Sequence, residues 1–173
     1  MVQEIHREFL PVCLIASLLV IQYTRQVVTT VRFYSTEKIV SDFNTGIVEE
    51  FRANQGKVGG MFEGANLFLL HNTGRRSGKI NVVQLVYFKD GDRIVIAASK
   101  GGAPENPAWY HNLIANPATT VEIGTETRSV TASEITGEDR YRIWQDIAAA
   151  APGFGEYQTK TTRIIPLFDL NLQ

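Results

Sequence analysis

The sequence predicts an α+β domain that is mainly β, in which antiparallel strands close into a small barrel and helices are inserted before and between them. Three observations carry this prediction. Short runs of branched and aromatic residues follow one another at hairpin distances, with turn residues between them. Helical periodicity appears in three other segments. The chain has 173 residues, 44% apolar and 20% charged, which fits one globular domain.

The domain is predicted to begin with an amphipathic helix. Apolar residues from Ile39 to Phe51 recur at spacings of one, three and four. Ser35 or Thr36 can cap its start, and Gly56 lies where a chain leaving a helix needs a left-handed residue. A glycine lowers helix stability, so the pattern also allows a break at Asn44–Gly46.

Strands are predicted from residue 67 onward. Their segments are Leu67–His71, Asn81–Asp90, Arg93–Lys100 and a hairpin over Thr119–Ile135 that turns at Gly124. The last run, Arg163–Leu170, contains Pro166. Because proline cannot donate a ladder hydrogen bond, this run is expected at a sheet edge or a corner.

Two more helices are predicted between the strands. The stretch "ENPAWYHNLIANP" has a proline near its start and another just past its end. Its apolar side is expected to hold Ala108, Trp109, Asn112 and Leu113. The stretch "GEDRYRIWQDIAAAAPG" follows Thr136 in N-cap position, and its apolar side is expected to hold Tyr141, Trp144, Ile147, Ala148 and Ala151.

The amino terminus, residues 1–35, is interpreted as an appendage to a domain that spans residues 36–173. Its segment Phe9–Tyr23 carries no charge. Fifteen helical residues fall short of the ~30 Å hydrocarbon layer, so a full membrane span is marginal. A signal-peptide core, a membrane-lying helix, an organelle presequence, an extra apolar helix and an upstream start codon all stay open. We expect a cytoplasmic protein, at the inner face of the membrane if residues 9–23 lie on it.

Composition and missing motifs exclude several classes of function. The 17 basic and 18 acidic residues nearly cancel, which argues against nucleic acid as a partner. The single Cys13 excludes an internal disulfide, and His6, His71 and His111 lack the spacing of a zinc site, so no metal is expected. G-x-S-x-G, P-loop and G-x-G-x-x-G signatures are also absent from the sequence.

Two basic, glycine-containing loops are candidates for binding an anion. In "TGRRSGK" the glycines let the backbone turn, while Arg75, Arg76, Ser77 and Lys79 offer donors to a phosphate. In "ASKGG" Lys100 ends a predicted strand, and two glycines permit close approach of a ligand. A solvated hairpin turn and an ordinary strand-to-helix loop are the alternatives.

Aromatic residues mark two further candidates. In "NPAWYHN", Trp109 suits the core, whereas Tyr110, His111 and Asn112 can line a pocket with polar tips. The stretch "PGFGEYQTKTTR" is expected to form a glycine-containing loop that exposes Phe154 and Tyr157. Such a loop is either a lid over a site or a plain connector.

These four elements in this order resemble the deazaflavin-dependent nitroreductase family of actinobacterial reductases, which includes F420H2-dependent quinone reductases. The resemblance runs from about Ser41 to Leu170. It implies a split β-barrel like that of FMN-binding oxidases. It also implies coenzyme F420, a reduced deazaflavin, as hydride donor to a quinone-like, enone or nitro-aromatic acceptor.

The resemblance also assigns site residues. Those implied for the phosphate and acidic tail of the coenzyme are Arg75, Arg76, Ser77, Asn81 and Lys100. Those implied around its ring system are Ala97, Ala98, Ser99, Trp109, Tyr110, His111 and Asn112. Ser99 and Tyr157 are the implied catalytic residues, and those implied for the acceptor or lid are Val86, Phe154 and Tyr157.

Two positions depart from the family pattern. Asn81 stands where many relatives have an arginine, and Phe154 stands where the nitroreductase has a tyrosine implicated in proton delivery. Phe154 has no proton to give, which favours quinone or enone reduction with Ser99, Tyr157 or water as donor. The alternatives are FMN as cofactor in the same barrel, and a non-catalytic carrier of F420 or another ligand. The sequence does not indicate an oligomeric state.

Overall fold

The computed structural model describes the backbone of residues 36–173 and the side chains from residue 43 onward. The chain divides into two compact units, Met1–Val40 and Ser41–Gln173, and the description below concerns the second. The apolar segment Phe9–Tyr23, with the membrane association predicted for it, lies outside the described residues. Within residues 36–173 every helix is too short or too polar to cross a membrane.

Seven antiparallel strands form one sheet in the order β2-β1-β5-β6-β7-β4-β3. The strands are β1 (Leu67–Thr73), β2 (Ile80–Val86), β3 (Phe88–Asp90), β4 (Arg93–Ala97), β5 (Ala118–Ile123), β6 (Glu126–Ile135) and β7 (Leu167–Leu172). The helices are α1 (Thr36–Ala53), α2 (Ala108–Ala115), α3 (Gly137–Ala150) and α4 (Pro152–Thr159). The curled sheet is a half-barrel, which confirms the split-barrel prediction.

Helix α1 runs without a break through Gly46, so the break allowed at Asn44–Gly46 does not occur. Its carboxyl half packs against β1 and β2, where Phe51 is completely buried and Ile47 and Val48 are half-buried. This packing offsets the cost of about 1 kcal/mol for a helical glycine. Gly56 has φ +89°, which confirms the predicted left-handed exit from the helix.

Strand β4 separates two parts of the core. Ile94, Ile96 and Ala98 face the cluster that contains Trp109 of α2. Val95 and Ala97 face the opposite cluster, which packs against α3 and α4. This alternation is the period of two of a β-strand, and it places helices on both faces of the sheet.

The strands differ from the prediction in boundaries and in the position of the last one. The segment predicted as one strand, Asn81–Asp90, is split at Tyr87, whose amide bonds to Asn66 O at 2.9 Å outside the ladder. Strand β4 ends at Ala97 because the next residues enter a turn with positive φ angles. The edge position predicted for the last run is wrong: β7 lies between β6 and β4, and Pro166 precedes the strand.

The stretch predicted as an exposed loop after α3 is helix α4, which begins with Pro152 at N1. Phe154 and Tyr157 are half-buried, so their predicted exposure is also wrong. The Phe154 ring meets Phe88 edge-on at 5.0 Å and Tyr157 at 5.4 Å between centroids. These contacts stabilise a helix whose two glycines disfavour it.

Helix α3 starts after Thr136, as predicted. The buried side of α3 is rotated about the helix axis from the predicted side, because Ile143 lies in the core together with Trp144 and Ile147. Tyr141, predicted on that side, is 65% exposed.

Candidate functional site

The loop of the β1–β2 hairpin, residues 74–79, is closed by its own backbone. Gly74 N donates to Lys79 O and Gly78 N donates to Gly74 O, both at 2.8 Å. Gly78 has φ +66°, a conformation that other residues rarely adopt. A Cβ on Gly74 would lie 2.5 Å from Ser77 Oγ, so a larger residue there would displace the Ser77 side chain. The loop therefore presents Arg75, Arg76 and Ser77 in a defined order at the surface.

A buried pair of asparagines joins this loop to α2. Asn72 on β1 is 1% exposed and Asn112 on α2 is 8% exposed. Asn112 Nδ2 donates to Asn72 Oδ1 at 2.6 Å, and Asn112 Oδ1 accepts from the backbone N–H of Arg75 at 3.0 Å. Asn72 Nδ2 donates to Asn81 O at 3.0 Å. Asn112 was predicted to contact the coenzyme; in the structure both ends of its amide hold the hairpin.

Between the hairpin loop and α2 lies a cavity of about 330 Å³. It is lined by Gly74, Arg75, Arg76, Ser77, Asn81, Ala108, His111 and Asn112. Within the described residues the guanidinium groups of Arg75 and Arg76 have neither an ion pair nor a hydrogen bond. The cavity thus brings together four of the five residues predicted for the acidic tail, with two unpaired cations at its wall.

The fifth, Lys100, lies in a 3₁₀ turn over Lys100–Gly102 that follows β4. Lys100 has φ +48°, the left-handed region that a lysine adopts only at a cost. Its Nζ lies 3.4 Å from Glu105 Oε2, and both side chains are largely exposed. Gly102 has φ +84°, and a Cβ there would lie 2.7 Å from the backbone O of Tyr157. The turn is therefore in direct contact with α4.

The side chains of the residues predicted along the ring system of the coenzyme do not all point to the same face of the sheet. The side chain of Ala98 points into the cluster with Trp109, and that of Ala97 points to the cluster with α3 and α4. Both methyl groups are buried, Ala98 completely, so they belong to the core on the two faces of the sheet. Ser99, the next residue, is half-buried and precedes the 3₁₀ turn.

On α2 the three consecutive aromatic side chains have different surroundings. Trp109 is 7% exposed and its indole meets Phe168 at 6.1 Å between centroids, which makes it a core residue. Tyr110 packs edge-on against both His111, at 5.1 Å, and Phe168, at 5.6 Å. Burial raises the pKa of Tyr110, and the nearby charge of Glu134 raises it further. Of the three, only His111 lines the cavity.

The residues predicted for the acceptor or lid separate into two places. Phe154 and Tyr157 lie together on α4, and Lys160 Nζ lies 5.5 Å from the centre of the Tyr157 ring. Val86 instead packs in the cluster with α1. The structure therefore brings Tyr157 close to the turn that follows Ser99 and leaves Val86 with a core position.

Sequence reasoning missed Arg163 as a site residue. Its guanidinium lies between the end of β4 and the start of α2 and donates to four oxygens at 2.7–3.0 Å. It also missed Asn72, although an asparagine inside the apolar run "LFLLHNT" is the signal of a buried polar contact. In the part of the chain that is described, no group of three His, Cys, Asp or Glu side chains is arranged to hold a metal ion.

Comparison with known proteins gives consistent results. The family model described as F420H(2)-dependent quinone reductase matches residues 45–171. An F420H(2)-dependent quinone reductase of Mycobacterium tuberculosis is 38% identical over 121 residues, which are 68% of this chain and 81% of the relative.

Two solved structures are similar along most of their own length. A structure described as F420-H2 Dependent Reductase (FDR-A) is 39% identical with a TM-score of 0.56, covering 61% of this chain and 94% of that chain. Another, described as a domain-swapped dimer, is 34% identical with a TM-score of 0.58, covering 79% of this chain and 100% of that chain. The predicted resemblance is thereby confirmed.

Proposed function

Because the chain belongs to the F420H(2)-dependent quinone reductase family, we propose that it binds coenzyme F420 between the β1–β2 hairpin, α2 and the turn after β4. We further propose that it reduces a quinone-type acceptor by transfer of a hydride. The family makes the chain an oxidoreductase. The position of the coenzyme, the hydride step and the finer choice of acceptor are our own inferences.

The observation that carries this proposal is the cavity of about 330 Å³ with Arg75 and Arg76 unpaired at its wall. F420 carries a phosphate followed by glutamates, and planar guanidinium groups bind phosphate and carboxylate oxygens with two hydrogen bonds at once. An unpaired arginine beside a concave surface retains its full capacity for such binding. The donor set therefore fits an acidic tail, with Ser77 and the amide of Asn81 as additional hydrogen-bonding groups.

The chain's own residues have three tasks in the reaction. When bound, reduced F420 supplies a hydride, and reduction of a quinone to the hydroquinone requires one proton in addition. Ser99 is the proposed donor of a hydrogen bond to the acceptor oxygen as its negative charge develops. Tyr157, whose backbone touches the turn after Ser99, is the candidate proton donor. The packed rings of Phe88 and Phe154 lie beside Tyr157, and their proposed task is to keep water from its phenol.

The acceptor is proposed to be a quinone or an enone rather than a nitro-aromatic compound. Phe154 offers no proton where the nitroreductase has a tyrosine, and the chain retains a single α4 phenol at Tyr157. Tyr157→Phe is expected to lower kcat with menadione by about 100-fold, at the lower end of the range for general acid catalysis, and to leave the Kd of F420 unchanged. An unchanged kcat would assign proton delivery to water or Ser99.

A fluorescence titration tests coenzyme binding. The purified protein should quench the fluorescence of F420 on titration, and it should oxidise F420H2 when menadione is added. Arg76→Ala should raise the Kd, more at low salt than at high salt, because the lost interaction is between charges. Arg128→Ala is the matched control, since this exposed arginine on β6 already pairs with Glu126.

Each remaining result has a defined meaning. Absence of quenching at micromolar coenzyme contradicts the proposal. Tight binding of FMN in place of F420 assigns the barrel to a flavin. Tight binding of F420 without turnover on a panel of quinones and enones identifies a carrier. Equal binding by Arg76→Ala and wild type would leave the hairpin as a solvated turn.

A further inference from the structure

The side chain of Arg163 joins three segments that carry candidate site residues. It belongs to the segment after α4, and its guanidinium donates to backbone oxygens at the end of β4 and before α2. Nη2 bonds to Ala98 O at 3.0 Å and to Ser99 O at 2.8 Å. Nε bonds to Ala103 O at 2.9 Å, and Nη1 bonds to Asn106 Oδ1 at 2.7 Å. One planar group therefore fixes both ends of residues 98–106.

All four acceptors of Arg163 are uncharged oxygens. Within the described residues Arg163 has no ion pair, and burial lowers its pKa against a weak opposing effect of Glu105. The guanidinium nevertheless stays protonated, since arginine does not lose its proton in proteins. Hydrogen bonds from a charged donor are the strong kind, and they are here concentrated on one loop. An arginine kept half-buried without a carboxylate thus serves the conformation of that loop.

The loop needs an external support because it lacks regular structure. Three successive residues, Lys100–Gly102, have positive φ angles. The backbone hydrogen bonds of this turn are local, from Gly102 N to Ser99 O and from Ala103 N to Lys100 O. Ser99 and Lys100 sit at its start, and α2 with its cavity-lining face begins just after Asn106. A loop that relaxes would therefore move the groups proposed for the acceptor and for the acidic tail relative to one another.

Arg163 is itself held in place by α4. Gln158 Nε2 donates to Arg163 O at 2.7 Å, and Gln158 Oε1 accepts from Ile165 N at 3.1 Å. The backbone that carries the guanidinium is thereby fixed to the helix that carries Tyr157. The contacts run from α4 through Gln158 and Arg163 to the loop before α2.

We propose that Arg163 is a positioning residue of the reductase: it holds Ser99 and Lys100 in register with α2 through the backbone oxygens of residues 98–106. This inference rests on the proposed function. It assigns Arg163 no contact with coenzyme or acceptor. The role requires several donors in one plane, so lysine cannot replace it.

The test compares Arg163→Lys with Arg140→Met as a matched control. Arg140 is also half-buried, donates to a nearby backbone oxygen, Ile165 O at 2.7 Å, and has a pKa lowered by burial, but it belongs to α3. We expect Arg163→Lys to lower kcat/KM with menadione at least tenfold and to raise the Kd of F420. Arg140→Met should lower the Tm and leave both constants unchanged. Normal constants in folded Arg163→Lys would overturn the proposal.

Two further measurements separate positioning from general stability and from the proposed function. Millimolar methylguanidinium should restore the oxidation of F420H2 by menadione in Arg163→Ala and not in Lys100→Ala. In coenzyme-free protein, Arg163→Lys should speed amide hydrogen exchange in residues 98–106 while β1 and β5 stay protected. Should wild type fail to bind F420, the proposed function fails and the exchange result alone decides whether Arg163 holds the loop. Unchanged exchange there would refute the inference.

Discussion

Lys100→Gly tests whether this lysine is retained for its charge at the expense of stability. Lys100 has φ +48° in a turn whose next two residues are glycines. Within the described residues its only ionic partner is Glu105, at 3.4 Å, where both side chains are exposed. A residue in an unfavourable conformation with little compensation from its contacts is expected where a function requires the side chain.

The expected change in stability follows from two opposing terms. The left-handed conformation costs a residue with a Cβ about 1–2 kcal/mol. Glycine removes that cost and adds about 0.5–1 kcal/mol of backbone entropy in the unfolded chain. Lys100→Gly should therefore be as stable as wild type or more stable by up to about 1.5 kcal/mol, which is roughly 3–6 °C in Tm. Lys100→Ala keeps the strain and serves as the matched control.

Coenzyme binding should change in the other direction. Both variants lose one cation near the proposed acidic tail, worth about 1 kcal/mol or roughly a fivefold rise in Kd. The loss should shrink at high salt. Urea unfolding gives the free energy of unfolding, and fluorescence titration at two salt concentrations gives the Kd. Lower stability of the glycine variant than of the alanine variant, or an unchanged Kd in both, would refute the reasoning.

Three other predictions concern the supports of the site. Asn72→Ala should lower the free energy of unfolding by about 1–3 kcal/mol by leaving buried Asn112 without its acceptor, and a double-mutant cycle with Asn112→Ala should give a coupling well above the error of urea unfolding. Gly102→Ala should destabilise by more than 1 kcal/mol, because its methyl group would strike the backbone of α4; an unchanged Tm would disprove that contact. Hydrogen bonds from two arginines lower the pKa of Asp139 to about 2 from 3.8, so its stabilising effect is complete above about pH 5 and is lost as the pH falls through 2. The urea midpoints of wild type and Asp139→Asn should differ at about pH 7 and converge toward about pH 1.

The sequence predicted the strands and three of the four helices because their periodicity matches their burial. The β5–β6 hairpin about Gly124 is an example, since alternation over ten residues admits one register with a dry face. Helix α4 was missed because a proline and two glycines within four residues indicate a loop on local propensity. Its stability comes from the contact of Phe154 with Phe88, a residue distant in the chain, and propensity carries no information on such contacts.

The residues of the candidate site were predictable from the sequence to the same extent as the strands and helices. Arg75, Arg76 and Ser77 were identifiable because a short hairpin loop must expose its side chains whatever the rest of the fold does. The roles of Asn112 and Arg163 depend on partners 37 and more than 50 residues away, so they emerge only once the strands are paired. Trp109 illustrates the converse, since the pattern already suited it to the core and the structure places it there.

The distribution of charge gives the strongest physical reason to connect the hairpin with a polyanion. The described residues contain arginines in three situations. Those paired with carboxylates are Arg52, Arg93, Arg128 and Arg142. Arg140 and Arg163 donate to uncharged oxygens. Arg75 and Arg76 have neither kind of partner, although acidic residues outnumber basic ones in the chain. Two unpaired guanidinium groups at the wall of one cavity give it a local positive charge, which favours the binding of an anion. Binding of a phosphate should therefore stabilise the protein against urea, and Arg75→Ala with Arg76→Ala should abolish that stabilisation.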